Sequence, residues 1–105
     1  MSFRSKNLLV TGGCGFIGSN FIDFILKKYN QVRVINIDKL TYAGSIHNTL
    51  NFNKNSRYEL IVGDILDNKL VKEVFYKYLI DGVINFAAET HVDRSIISPK
   101  DFVNT

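Results

Sequence analysis

Cysteine, proline and tryptophan are scarce in this sequence, with one cysteine, one proline and no tryptophan among 105 residues. A single thiol excludes an internal disulfide and any metal site built from several thiolates, and it suits a reducing compartment. No apolar run approaches the roughly 18 residues of a membrane span, and no long apolar segment near the start resembles a secretory signal. We therefore expect a cytoplasmic protein without a membrane partner.

The chain also lacks a strong excess of charge of one sign. It has 13 basic and 10 acidic residues, a net charge of +3, and its basic residues are scattered, so no nucleic-acid partner is expected. The two histidines, His47 and His91, have no partners at metal-ligand spacing, and no metal site is expected. The apolar share of 46% is typical of a folded chain and excludes bulk disorder over this single small-domain length.

Four short apolar runs recur at regular intervals along the chain, at residues 8–10, 32–37, 60–62 and 83–86. Each is apolar at consecutive positions and rich in β-branched residues, a pattern typical of strands buried on both faces of a parallel sheet. Strands that alternate with helices predict a doubly wound α/β sheet with right-handed crossovers.

Helical periodicity fills two of the three connections between these runs. The first helix is predicted from Phe16, with an apolar face of Ile17, Phe21, Phe24 and Ile25 that Ile22 and Leu26 widen. The second is predicted to begin at the N-cap Asp67 and to bury the apolar positions of residues 70–78. The connection at residues 39–57 is rich in asparagine and predicts a loop with one short helix. Asp81-Gly82 predicts a turn.

The glycine-rich segment Thr11–Gly18 is the main candidate for a binding site in this sequence. Its glycines allow both Gly12-x-x-Gly15-x-x-Gly18 and Gly13-x-Gly15-x-x-Gly18, directly after a strand and before a helix. Such a turn needs positive φ or missing side chains, and it brings backbone N–H groups at a helix N-terminus to a pyrophosphate. In this context the motif predicts dinucleotide binding, although a plain glycine turn would show the same spacing.

An acidic residue stands where a dinucleotide site needs one. Asp38 ends the second strand, and a carboxylate there accepts hydrogen bonds from the adenosine ribose and repels a 2′-phosphate, which favours NAD over NADP. The Lys39 ammonium could attract a 2′-phosphate, but the repulsion of that phosphate by Asp38 outweighs the attraction. Asp64, just past the third strand, is either an adenine contact or an ordinary turn or N-cap residue, and Ile65 could pack on the adenine ring.

Three strings resemble a known family. The segment Thr11–Ser19 resembles the opening of extended short-chain dehydrogenases/reductases. The segments Asp38–Gly44 and Ala87–Ile96 are more specific and resemble the N-terminal third of the dTDP-glucose 4,6-dehydratases. The resemblance covers nearly the whole chain and implies a partial Rossmann-like fold, the first four strands of a doubly wound parallel sheet in the order 3-2-1-4.

The resemblance implies NAD as cofactor and a nucleotide sugar, dTDP-glucose, as substrate. The residues that match cofactor-contacting positions, together with those already singled out, are Gly12, Gly15, Phe16, Ile17, Gly18, Asp38, Lys39, Leu40, Thr41, Asp64, Ile65, Phe86, Ala87, Ala88, Glu89 and Thr105. Thr90 matches a substrate-binding position. Cys14 is expected to be a small loop residue rather than a nucleophile.

The catalytic pair of the superfamily, Tyr-x-x-x-Lys, does not occur at any of the five tyrosines. We therefore interpret residues 1–105 as the N-terminal part of an NAD-binding Rossmann domain that lacks catalytic and sugar-binding parts and is inactive alone. Its fourth strand is expected to be an unprotected edge. The intact family member is expected to be a homodimer. The alternatives are a related nucleotide-sugar epimerase, a UDP-sugar dehydratase or a stand-alone, non-catalytic dinucleotide-binding module.

Overall fold

The computed structural model describes residues 6–40 and 46–86, and the backbone of Ile96–Ile97. Strands and helices alternate as the apolar pattern predicted, and one 3₁₀ helix lies in the long connection. Among the described residues, no helix is long and apolar enough to cross a membrane. The elements are β1 (Asn7–Thr11), α1 (Phe16–Lys28), β2 (Arg33–Asp38), the 3₁₀ helix (Ile46–Thr49), β3 (Tyr58–Val62), α2 (Asn68–Tyr78), β4 (Gly82–Asn85) and β5 (Ile96–Ile97).

The strands form one sheet in the order β3-β2-β1-β4-β5. The first four are parallel, and Leu9 of β1 pairs with Ile35 of β2 on one side and Val83 of β4 on the other. The predicted order 3-2-1-4 is confirmed. The predicted open edge is wrong, because β5 runs antiparallel to β4 and pairs Ile97 with Val83 and Ile96 with Ile84. Backbone hydrogen bonding therefore continues one strand beyond β4.

Consecutive side chains of β1 point to opposite faces of the sheet, and each face carries its own apolar core. Leu8 and Val10 face α1, whereas Leu9 faces α2. The core beneath α1 contains Leu8, Val10, Ile22, Ile25, Leu26, Val32, Val34, Phe52, Tyr58 and Ile84. The core beneath α2 contains Leu9, Ile35, Ile37, Val74, Tyr78, Ile80 and Val83. Buried on both faces, the central strands are mostly apolar, as the sequence pattern indicated.

Helix α1 packs through only part of the apolar face that its periodicity predicted. Ile22, Ile25 and Leu26 are buried, whereas Ile17 and Phe24 are 39% and 54% exposed. The helix approaches the glycine turn through Gly18, one turn before Ile22, and Phe24 lies on a different side of the helix. Lys27 and Lys28 lie in the last turn, where cations interact favourably with the helix dipole.

Helix α2 begins as predicted and ends differently. The Asp67 side chain accepts a hydrogen bond from the Leu70 N–H at 3.2 Å, which confirms the predicted N-cap. The chain leaves the helix through Leu79, which has a left-handed φ of 51°. The predicted turn at Asp81-Gly82 is wrong, because Gly82 is the first residue of β4. Asp81 instead accepts hydrogen bonds from the backbone N–H groups of Lys6 and Asn7 and fixes the start of β1.

The long connection after β2 contains one short helix, as predicted, and it is tied to α1 by a guanidinium group. Of its apolar residues, Phe52 is buried against the edge of the Tyr58 ring, with ring centroids 4.8 Å apart. Arg57 donates to the carbonyl oxygens of Leu26, Tyr29 and Val32 at 2.7–2.8 Å. These bonds satisfy carbonyl groups that the end of α1 leaves without helical partners.

Candidate dinucleotide-binding site

The glycine-rich segment is the turn that joins β1 to α1 at the carboxyl edge of the sheet. Gly12 has a φ of 72°, a conformation that residues with a Cβ rarely adopt. Its N–H donates to the carbonyl oxygen of Ile37 at 2.9 Å, which holds the turn beside the end of β2. The predicted strand–turn–helix geometry is therefore present.

The other glycines of the turn differ in what a side chain would meet. A Cβ at Gly13 would lie 2.5 Å from Ile22 and 2.6 Å from the side-chain oxygen of Asn36. A Cβ at Gly18 would lie 2.7 Å from the Gly12 carbonyl oxygen, so Gly18 is required for close helix–turn packing. At Gly15 the nearest atom would be 3.5 Å away, which is ordinary contact. Internal packing thus explains Gly13 and Gly18 but not Gly15.

The N-terminus of α1 opens towards solvent beside Gly15. Gly15 is the N-cap, and no side chain caps the helix there. Phe16, the first helical residue, is 76% exposed. The first N–H groups of a helix have no partners within it, and the helix dipole makes this end positive. The turn therefore presents backbone donors and a positive potential to an anion.

Asp38 lies directly beside this turn. One carboxylate oxygen accepts from the Cys14 N–H and the other from the Leu40 N–H, both at 2.8 Å. A carboxylate has about four acceptor positions, so roughly two stay available for the hydroxyl groups of a ribose. The backbone bonds also orient the carboxylate, which is half-buried, before any ligand arrives.

Lys39 and Asp64 form an ion pair across the ends of β2 and β3, with the ammonium nitrogen 3.2 Å from a carboxylate oxygen. The other Asp64 oxygen accepts from the Leu66 N–H at 2.9 Å. This backbone hydrogen bond, followed by Lys39, lowers the pKa of Asp64. Of the two interpretations of Asp64, the structure shows the turn. The adenine contact, and the packing of half-buried Ile65 on that ring, stay predictions.

Phe86 follows β4 at the same sheet edge. Its N–H donates to the Thr11 carbonyl oxygen at 2.7 Å, and its ring lies 5.5 Å from that of Phe21. The structure thus brings the ends of β1, β2, β3 and β4 together with the predicted residues that follow them. The other predicted positions, Thr41, Ala87, Ala88, Glu89, Thr90 and Thr105, lie outside the described residues.

Cys14 is fully buried behind the turn. Burial, and secondarily the charge of Asp38, raises the pKa of its thiol from 9.0 to about 11. Since the thiolate is the reactive form, a buried thiol with this pKa is unreactive at neutral pH. This agrees with the prediction of a small loop residue.

Two asparagines hold the turn from behind, and the sequence analysis missed both. Asn36 accepts from the Gly13 N–H at 2.9 Å, and Asn48 of the 3₁₀ helix donates to the Cys14 carbonyl oxygen at 2.9 Å. A signal for Asn36 existed, because a polar residue in a strand buried on both faces needs a hydrogen-bond partner. Asn48 lies in a polar connection and gave no comparable signal.

Comparison with known proteins supports the resemblance that the sequence strings indicated. The family model described as GDP-mannose 4,6 dehydratase matches residues 9–105. The chain is 44% identical over 98 residues to dTDP-glucose 4,6-dehydratase of Salmonella typhimurium, and 48% identical over 99 residues to that of Haemophilus influenzae. These matches cover 93% and 94% of this chain, but 27% and 29% of the two relatives.

The fold is similar to a crystal structure of dTDP-glucose 4,6-dehydratase from Bacillus anthracis in complex with NAD. The TM-score is 0.76 at 39% identity, over 80% of this chain and 27% of that chain. The chain therefore spans little more than a quarter of the length of these relatives.

Proposed function

Because this chain belongs to the family described as GDP-mannose 4,6 dehydratase, we propose that it is the NAD-binding part of a nucleotide-sugar dehydratase acting on dTDP-glucose. The whole protein would convert dTDP-glucose to dTDP-4-keto-6-deoxyglucose and water. A dehydratase is preferred to an epimerase because the two curated relatives described above carry the dehydratase name. The substrate assignment rests on that similarity, whereas the cofactor assignment rests on the site.

One observation carries the cofactor assignment: the exposed, uncapped start of α1 at Gly15, where no clash within the turn requires a glycine. A Cβ there would meet the Gly12 carbonyl oxygen at 3.5 Å, which is ordinary contact. A pyrophosphate needs this combination, because its oxygens must approach backbone N–H groups without a side chain between them. The glycine turn and the start of α1 therefore fit the phosphates of NAD.

Asp38 supports NAD over NADP. Its carboxylate accepts a hydrogen bond from the turn and has acceptor positions left for both ribose hydroxyls, while its charge opposes a 2′-phosphate. Lys39, the cation best placed to attract such a phosphate, is paired with Asp64. When bound, NAD supplies the acceptor for a hydride from the sugar. The residues described here hold and orient its adenosine and pyrophosphate half.

The decisive experiment is a titration of Asp38 variants with NAD and NADP. Asp38→Ala is expected to weaken NAD binding by about 1–3 kcal/mol, the usual size for lost hydrogen bonds to a charged group. Part of that loss would come from the turn, because Asp38 also accepts from the Cys14 N–H. Asp38→Asn keeps an acceptor and removes the charge, so it should narrow the preference for NAD with less effect on affinity. An unchanged NAD/NADP ratio in both variants would contradict the assignment.

The whole protein is further proposed to be cytoplasmic and homodimeric. The single thiol, buried and unpaired, supports a reducing compartment. The dimer is supported by the family resemblance alone.

A further inference from the structure

Asn36 is a fully buried amide in the middle of a strand whose neighbouring residues are apolar. The Gly13 N–H can only donate, so the atom that faces it at 2.9 Å must be the amide oxygen. This fixes the orientation of the amide. Its nitrogen then donates to the Tyr58 hydroxyl at 3.1 Å and points to the Cys14 sulfur at 3.4 Å. Every polar atom of this buried side chain therefore has a partner.

Two side chains on one face of strand β2 hydrogen-bond to the glycine turn. Asn36 and Asp38 are two residues apart, so both project from the same side of the strand. They accept hydrogen bonds from consecutive backbone N–H groups of the turn, those of Gly13 and Cys14. The peptide that precedes the α1 N-terminus is thus held at two adjacent points.

The amide of Asn36 is itself anchored on β3. The Tyr58 hydroxyl that accepts from it belongs to a ring packed edge-on against Phe52. Burial raises the pKa of Tyr58 to about 12, so the hydroxyl is neutral at physiological pH. A hydrogen-bonded path therefore runs from β3 through Asn36 to the turn.

We propose that Asn36 is a positioning residue that fixes the Gly13–Cys14 backbone, so that the N–H groups at the start of α1 are aimed at the pyrophosphate of a dinucleotide, with Tyr58 as its anchor. The proposal rests on the proposed function for its ligand, a nucleoside diphosphate group. Asn36 touches the turn from behind and does not face the space at Gly15. It therefore acts through the backbone and not on the ligand itself.

The first test needs no ligand. In Asn36→Leu, amide hydrogen exchange measured by NMR should accelerate about tenfold or more at Gly13 and Cys14, because the Gly13 N–H loses its only acceptor among the described residues. The matched control is Tyr78→Phe, which removes a tyrosine hydroxyl bonded to Glu59 beneath α2. That control should leave exchange at Gly13 unchanged.

The second test separates positioning from a general loss of stability. Asn36→Leu should weaken binding of ADP about tenfold and leave binding of adenosine, which has no phosphates, unchanged. An equal loss for ADP and adenosine, or no change in either exchange or affinity, overturns the proposal. If the parent chain binds no ADP, the proposed function fails, and the exchange result alone decides whether Asn36 positions the turn.

A second variant covers the case in which Asn36→Leu does not fold. Tyr58→Phe removes the hydroxyl that anchors the amide and keeps the amide itself, so it should accelerate exchange at Gly13 in the same direction but to a smaller extent. If Tyr58→Phe and Tyr78→Phe behave alike at Gly13, the proposal is wrong.

Discussion

At the scale of single residues, the glycines of the turn have separate physical reasons, and mutations should separate them. Gly12 supplies a positive φ, and Gly13 and Gly18 make room for neighbouring atoms. These three glycines serve the fold of the turn. Gly15 is exposed, and a Cβ there would make only ordinary contact, so its role is proposed to be in binding.

Replacing Gly15 should therefore affect binding and not folding. Gly15→Ala fits without a clash and should keep the melting temperature, yet its methyl group should weaken NAD binding, and Gly15→Val should weaken it further. Gly18→Ala is the matched control, because its Cβ would meet backbone atoms at 2.7 Å and 2.9 Å. It should destabilise the fold by about 1–3 kcal/mol. Calorimetric titration and thermal unfolding measure the two effects. If Gly15→Val bound NAD as tightly as the parent protein, the glycine turn would not be the binding site of the pyrophosphate.

Alkaline pH should destabilise the chain through groups that the fold keeps neutral. Burial raises the pKa of Cys14 from 9.0 to about 11 and that of Tyr58 from 10.0 to about 12. Between pH 9 and pH 12 the unfolded chain releases these protons before the folded chain does, so stability is full below pH 9 and falls as pH rises. Urea unfolding followed by circular dichroism across this range should show the loss. Cys14→Ala should reduce its steepness between pH 9 and 11. If the free energy of unfolding of Cys14→Ala depended on pH as steeply as that of the parent, the raised pKa of Cys14 would be contradicted.

At the scale of elements, α1 depends on a residue outside it. Arg57, at the end of the long connection, donates to three carbonyl oxygens at and beyond the helix C-terminus. A planar guanidinium reaches several acceptors at once, which a lysine ammonium does with less geometric fit. The helix end and the start of β2 are thereby tied to the residue that precedes β3.

Arg57→Met should therefore destabilise the fold by about 1.5–3 kcal/mol, the range for hydrogen bonds to a charged group. Arg57→Lys should recover only a small part of this loss. Lys54, exposed in the same connection, supplies the control, and Lys54→Met should leave stability unchanged. The measurement is the urea midpoint with its slope. If Arg57→Lys is as stable as the parent, the fork geometry is not what stabilises the helix end.

At the scale of the whole molecule, the described sheet brings together the residues that we propose bind the adenosine and pyrophosphate half of NAD. The turn after β1, Asp38 at the end of β2 and Asp64 after β3 meet at one edge because parallel strands end on the same side. The 105-residue sequence contains no Tyr-x-x-x-Lys pair to move a substrate proton.

The 105-residue polypeptide should therefore convert no dTDP-glucose and should bind NAD more weakly than a complete relative. The test incubates it with dTDP-glucose and NAD and follows the keto sugar, with a complete dTDP-glucose 4,6-dehydratase as the positive control. Formation of the keto sugar above background would show that residues 1–105 are sufficient for catalysis, against this prediction.

Local pattern was enough to predict the order of strands and helices, the Asp67 cap and the turn between β1 and α1. Each depends on neighbours a few residues apart: apolar runs for buried strands, a capping carboxylate, and glycines where the backbone needs them. The sequence also placed Asp38 beside the turn, because the second strand of a strand–helix–strand unit ends next to the glycine turn.

Contacts between distant segments were decided only in three dimensions. The buried face of α1 depends on how Gly18 meets Gly12, and the roles of Asn36, Asn48 and Arg57 depend on partners 22 to 34 residues away. The pairing of β5 with β4 and the Lys39–Asp64 ion pair join segments in the same way. A buried polar residue type indicates that a hydrogen-bond partner is needed. Because hydrogen bonds are directional and short-ranged, only the packing of the sheet determines which group becomes that partner.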